Sequence, residues 1–123
     1  MKNRVLIVDD SIYMRLTIKT ALEKAGYEVV GEAANGESAI EMALDLKPDL
    51  ITLDNVLPDM FGKELLKILT EEELETHILM VSAVGQDSVV KEELSLGAMD
   101  YIVKPFDEDQ LINAVNNIMH HEV

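Results

Sequence analysis

Five times along the chain a short run of Val, Ile and Leu gives way to a longer segment with apolar residues at helical spacing. Four of those runs stop at a residue able to do chemistry. The runs cover residues 5–8, 27–31, 50–53, 78–81 and 101–103. Strict strand–helix alternation admits few folds, because strands joined by helical crossovers run parallel and put helices on both faces of the sheet. Strands that are apolar throughout, rather than at every second position, fit burial on both faces. Right-handed crossovers remove most of the remaining topologies.

The segments between the runs have their own start and stop signals. Ser11 can cap a helix that continues to Ala25 and is stopped by Gly26. Asn35-Gly36 reads as a turn, and the next helix carries Ala39, Ile40, Ala43 and Leu44 on one face and ends before Pro48. An irregular loop over residues 55–61 precedes a helix bearing Leu65, Leu66 and Leu69. A more polar helix is predicted over residues 88–96, closed by Gly97. The last helix shows Leu111, Ile112, Val115, Ile118 and Met119 at helical spacing, and residues 120–123 are expected to fray.

Composition narrows the function. At 123 residues the chain fits one domain, which buries roughly two thirds of the surface it exposes when unfolded. The 24 acidic residues outnumber the 10 basic ones, for a net charge of −14. That balance speaks against gripping nucleic acid or an anionic membrane, since no cationic footprint attracts either. With Cys 0, disulfides and thiolate metal sites are excluded, which leaves metals that take carboxylate oxygens or histidine. The apolar run near the start is too short for a signal peptide, and no stretch approaches a membrane span, so a cytoplasmic location is expected.

In open α/β sheets ligands bind beyond the carboxyl ends of the strands, where strand order reverses. The first run ends in Asp9 and Asp10, the third in Asp54, the fourth in Ser82, and the fifth in Lys104 followed by Pro105. If the first and third strands are neighbours, the three carboxylates crowd together. Two such charges 4 Å apart cost each other about 4 kcal/mol at an effective dielectric near 20. An oxygen-loving divalent cation, Mg²⁺ or Mn²⁺, is the natural offset. Such a site suits phosphoryl transfer, with one aspartate as nucleophile, Lys104 neutralising the transferred group and Ser82 donating a hydrogen bond. Asp54 has the best position for the nucleophile because it stands alone at its strand end, whereas Asp9 and Asp10 suit the metal. Any one of these residues alone is an ordinary cap or loop residue. Their weight comes from sharing one sheet edge.

The stretches Val5-Leu6-Ile7-Val8-Asp9-Asp10-Ser11, residues 54–62, Ser82-Ala83 and Lys104-Pro105-Phe106 resemble, in order and spacing, the signatures of the receiver domains of two-component response regulators. The resemblance covers the chain, so residues 1–123 read as one receiver domain. It implies the flavodoxin-like (βα)5 doubly wound fold with parallel strand order 2-1-3-4-5. It also implies roles: Asp54 as phospho-acceptor; Asp9, Asp10, Asp54 and the backbone carbonyl of Val56 around the metal; and Asp10 and Asp54 as direct ligands. Ser82 would bind phosphoryl oxygens and reorient, Lys104 would form the ion pair, Tyr101 would be a switch aromatic moving inward from solvent, and the Lys104-Pro105 bond would be cis. Tyr13-Met14-Arg15 is similar to the stand-alone chemotaxis regulators of the CheY type.

The same resemblance implies a protein that catalyses only its own phosphorylation and dephosphorylation. Its phosphodonor is a histidine kinase. Its target is a protein that docks on the fourth helix, fifth strand and fifth helix, such as a flagellar or archaellar motor component or adaptor. That face reads as exposed and mostly acidic, with Lys91, Glu92, Glu93, Asp100 and Asp109, which favours a monomer over a symmetric dimer. Where the family has Met before the loop proline, this chain has Leu57; Val56 and Val84 stand where polar side chains are common. A phosphorelay intermediate shares every one of these residues. An aspartate-nucleophile phosphohydrolase needs Asp-x-Asp after the first strand, and a flavodoxin needs a hydroxyl-rich phosphate loop there; Asp9-Asp10-Ser11-Ile12-Tyr13 is neither. His77 reads as structural or solvated, and the adjacent His120 and His121 lack the one-turn spacing of a helical metal pair.

Overall fold

In the computed structural model, which describes residues 3–120, the chain runs β1 (Arg4–Val8), α1 (Ile12–Lys24), β2 (Glu28–Ala33), α2 (Gly36–Leu46), β3 (Leu50–Leu53), α3 (Gly62–Glu71), β4 (His77–Ser82), α4 (Asp87–Ser95), β5 (Asp100–Val103) and α5 (Glu108–Met119). All four strand pairings are parallel and the order is β2-β1-β3-β4-β5, as the alternation requires. His121, and with it most of the segment expected to fray, lies outside the described residues. No helix among the described residues is long and apolar enough to cross a membrane.

Successive strand residues point to opposite faces, so each central strand feeds two cores. Leu6, Val8, Ile51, Leu53, Ile78 and Met80 pack with α2 and α3 on one face. Val5, Ile7, Leu50, Leu79 and Val81 meet Ile18 and Leu22 of α1 and Leu111 and Val115 of α5 on the other. Side chains of this kind each contribute roughly 1.5–3 kcal/mol when fully buried. Every residue of β1 beyond Arg4, and all of β3, is buried, whereas no residue of the edge strand β5 is fully buried.

The differences from the sequence expectations have local causes. The second strand is displaced toward the C-terminus, from 27–31 to Glu28–Ala33. Tyr27 stays outside it because its backbone N–H caps α1 at the Leu22 carbonyl and its hydroxyl pairs with Asn116 of α5. Gly31 does not break the strand; it makes room there, since a Cβ would come within 3.0 Å of Leu46 Cδ1 and 3.3 Å of Leu6 Cδ1. Asn35 is a helix cap rather than part of a turn, its Oδ1 accepting from Ser38 N at 2.8 Å. Ser11 caps α1 as expected, accepting from Met14 N at 3.1 Å. Leu44, assigned to the inner face of α2, is largely exposed.

Glu93 is the clearest correction. It belongs to α4 but points into the protein, with only 1% of its surface exposed, while Lys91, Glu92 and Asp109 are exposed as expected. Its Oε1 is buried without a hydrogen-bond partner, and Thr52 Oγ1 shares that condition. Burial pushes the Glu93 carboxyl above the usual glutamate range, and the Asn55 carboxamide works against that shift. A raised folded-state pKa means that the folded chain holds the proton more tightly than the unfolded one, so stability is lost as pH rises from about 4 through the folded value. Glu93→Gln removes that loss. Thermal melts are expected to show the variant roughly 3 °C more stable at pH 7, with the gap narrowing as pH falls below the ordinary glutamate range, where both states bind the proton.

Candidate functional site

Register aligns the two central carboxylates. Val8 of β1 pairs with Leu53 of β3, and each is followed by an aspartate, so Asp9 and Asp54 leave the sheet side by side. Asp54 N donates to Val8 O at 3.0 Å and Asp9 N to Ala33 O at 3.0 Å, which holds both backbones in sheet geometry one residue past the strands. Asp9 and Asp54 are buried and Asp10 is exposed, yet ligand oxygens of all three lie within 4.8 Å of one another.

A second register brings the cation. Ser82 of β4 pairs with Val103 of β5, and Lys104, the next residue, donates its backbone N–H to Ser82 O at 2.8 Å. From there its Nζ reaches Asp9 Oδ2 at 2.7 Å and Asp54 Oδ2 at 3.5 Å. The Lys104-Pro105 bond is cis. Asp9 Oδ1 accepts from Ser11 N at 2.9 Å, so both oxygens of Asp9 are engaged by the protein. Three carboxylates face one ammonium, which leaves the cluster negative. Burial holds the Asp54 carboxyl above its usual range; Lys104 lowers it, Asp9 raises it, and the N–H groups of Asn55 and Val56 lower it further.

The loop after Asp54 is tightly tied. Leu57 is buried, its N–H donates to Met60 O at 3.1 Å, and Gly62 N donates to Asn55 O at 2.6 Å. Asp59 fastens this loop to α2, accepting from Gly36 N at 2.8 Å and Glu37 N at 3.0 Å. Those helix N-terminal donors hold its carboxyl below the usual range. Met60 lies across Gly36, and a Cβ there, 2.4 Å from Met60 Sδ, would push the methionine side chain aside.

Ser82 is buried at the end of β4, and its Oγ accepts from Val84 N at 3.1 Å. Tyr101 is already inward. It packs on the core, its hydroxyl donates to Val84 O, and it accepts from Asn55 Nδ2 at 3.0 Å. Burial raises its phenol pKa, and Glu93 and Asp54 add to the rise. Asp9, Asp10, Asp54 and Lys104 thus form one cluster, with Ser82 on the adjoining strand end and the exposed Val56 two residues beyond Asp54. His77 is exposed at the start of β4, at the opposite end of the strand.

Sequence reasoning missed Asn55, Asp59 and Glu93. A polar residue directly after the strand-terminal Asp54 was the available signal for Asn55. Nothing in the pattern distinguished Glu93 from its exposed neighbour Glu92. Gly62 is a sensitive point, because a Cβ there would lie 2.7 Å from Asn55 Cα and 2.9 Å from Asp54 O, both backbone atoms. Gly62→Ala is therefore expected to cost about 1–3 kcal/mol in urea unfolding, by pushing the Asp54–Asn55 backbone aside.

Comparison with known proteins agrees with this geometry. The family model described as the response regulator receiver domain matches residues 5–116. The chemotaxis protein CheY of Thermotoga maritima is 43% identical over 118 residues, covering 96% of this chain and 98% of that one. CheY of Bacillus subtilis is 43% identical over 120 residues, covering 98% of this chain and 100% of that one. Among solved structures, CheY in a CheX–CheY–BeF3–Mg²⁺ complex from Borrelia burgdorferi superposes with a TM-score of 0.92 at 31% identity, covering 94% of this chain and 88% of that one. The receiver domain of a NarL regulator from Mycobacterium tuberculosis gives 0.91 at 30% identity, with 98% of each chain covered. Carboxylates at the ends of β1 and β3, a lysine after β5 and this breadth of similarity lead to one conclusion: the chain belongs to the response regulator receiver domain family and is CheY-like.

Proposed function

We propose that the chain is a single-domain phosphorylation switch, spanning residues 1–123, that accepts a phosphoryl group on Asp54 from a histidine kinase and controls a protein partner in chemotaxis or motility signalling. The observation that carries this reading is the meeting of Asp9, Asp54 and Lys104 at the point where strand order reverses. The donor set fits a hard divalent ion, since three carboxylates offer oxygens within 4.8 Å of one another and no softer ligand is present in the cluster. Lys104 and Ser11 engage both Asp9 oxygens, which is consistent with the ligand set that the family resemblance implies, Asp10, Asp54 and the Val56 carbonyl directly on Mg²⁺ or Mn²⁺. When bound, the ion neutralises charge on the oxygens of the transferred group.

The chain's own residues do the rest. An Asp54 oxygen attacks the phosphorus of a phosphohistidine; the P–O bond forms as the P–N bond breaks, and the departing imidazole takes up a proton. Lys104, already 3.5 Å from Asp54 Oδ2, screens the approaching negative charge. Ser82 Oγ, which accepts from Val84 N, donates its own hydrogen to a phosphoryl oxygen. The modification adds about −1.5 to −2 charges beside residues that also touch Tyr101, which links it to the α4–β5–α5 face. The acidity of that face supports a monomer whose partner presents a neutral or basic surface, and a cytoplasmic setting fits a kinase donor.

Incubation with a small acyl-phosphate donor and Mg²⁺ is expected to add one phosphoryl group per chain. Intact-mass measurement should show it lost in Asp54→Ala and on chelation of the metal. Continuous turnover of a phosphate ester would instead identify a hydrolase. Val56 and Val84 give an attacking water no polar helper, so the acyl phosphate is expected to outlast seconds without a phosphatase. Val56→Asn should shorten its lifetime by roughly tenfold, followed as release of inorganic phosphate.

A further inference from the structure

Asn55 and Glu93 are buried polar side chains for which the phosphoryl-transfer chemistry has no use. Asn55 is 5% exposed and Glu93 1%, and they come from different elements, the loop after β3 and the last turn of α4. Asn55 Nδ2 has two hydrogens. One goes to Tyr101 Oη at 3.0 Å, and the tyrosine in turn donates to Val84 O in the β4–α4 connection. Glu93, on the neighbouring helix, has a buried oxygen, Oε1, with no hydrogen-bond partner, and the Asn55 carboxamide and the Lys63 ammonium both favour its charged form. Both residues line one cavity of about 590 Å³ between α3 and α4, bordered by Val84 and, at its rim, by the Lys63–Glu92 ion pair at 3.0 Å.

The donors run in one direction. Asn55 gives one hydrogen to Tyr101 and Tyr101 gives its own to Val84, while the second Asn55 hydrogen remains for the unpartnered Glu93 oxygen that lines the same cavity. Chains of this kind reinforce one another in a low dielectric, and losing one member strands the rest.

We propose that Asn55, anchored by Glu93, is the positioning residue that holds Tyr101 inward in the unmodified protein, so that the α4–β5 face is partly preset before any phosphoryl group arrives. The proposal rests on the switch reading above for its consequence, because a preset Tyr101 lowers the differential stabilisation that the modification must supply. The residue next to the acceptor in sequence is thereby the one that touches the output side. Either protonation form of Glu93 offers an oxygen to Asn55, so the anchor does not depend on its charge.

The chain has three tyrosines and Trp 0, which makes fluorotyrosine labelling a direct test. Fluorine NMR gives one signal each for Tyr13, Tyr27 and Tyr101, assigned by Tyr→Phe replacement. With no phosphodonor present, native protein should show the Tyr101 signal shielded from a soluble paramagnetic agent. In Asn55→Leu and Glu93→Ala the inward-to-outward ratio should fall by about five- to tenfold, the change expected for one buried hydrogen bond. Glu93→Gln, which keeps an acceptor, should retain the native signal. A Tyr101 signal unmoved in Glu93→Ala, or displaced equally in Glu93→Gln, overturns the relay. Should Asn55→Leu not fold, the two Glu93 variants decide alone. An Asp54 that takes no phosphoryl group would overturn the switch reading and leave the Tyr101 result standing, so the two failures are separable.

Discussion

The ammonium of Lys104 is what allows the rest of the site to exist. Asp9 and Asp54 emerge from adjacent buried strands, and at that spacing their mutual repulsion amounts to several kcal/mol in a partly desolvated setting. Lys104 touches both, and it reaches them because the β4–β5 register and the Lys104 N–Ser82 O hydrogen bond fix where its side chain begins. Lys104 leaves the cluster short of neutral, a deficit that a dication fits. A carboxylate held above its usual pKa beside an incompletely balanced cluster is suited to accept positive charge.

The loop that carries this chemistry is held to α2 more firmly than its irregular sequence suggests. Asp59 takes two N–H groups at the start of α2, Met60 lies over Gly36, and Gly62 lets the chain turn back against Asp54 and Asn55. Asp54 therefore sits between a fixed side, toward α2, and a side bounded by the α3–α4 cavity. The Asn55 side chain lines the second and is hydrogen-bonded to Tyr101.

Much of this was legible beforehand. The order and type of all ten elements come from periodicity, because continuous apolar runs and helical spacing report burial directly. The residues at strand ends were readable for the same reason: once topology is known, each strand's last residue has a known edge. Tertiary contacts that have no local signature were not readable. Tyr27 leaves β2 for a hydroxyl partner 89 positions away, and Gly31 stays in the strand because Leu46 and Leu6 crowd it. Glu93 reads as one more surface acid until α4 is docked, at which point its face of the helix turns inward.

The sheet's uneven burial has a mechanical corollary. Asp9 and Asp54 extend from strands sealed on both sides, while Ser82 and Lys104 adjoin or come after a margin strand with solvent along one flank. Asp54 thus has one half of its surroundings packed on both faces and another that borders solvent along one flank. Any displacement there has more room toward β5, none of whose residues is fully buried, than toward β1.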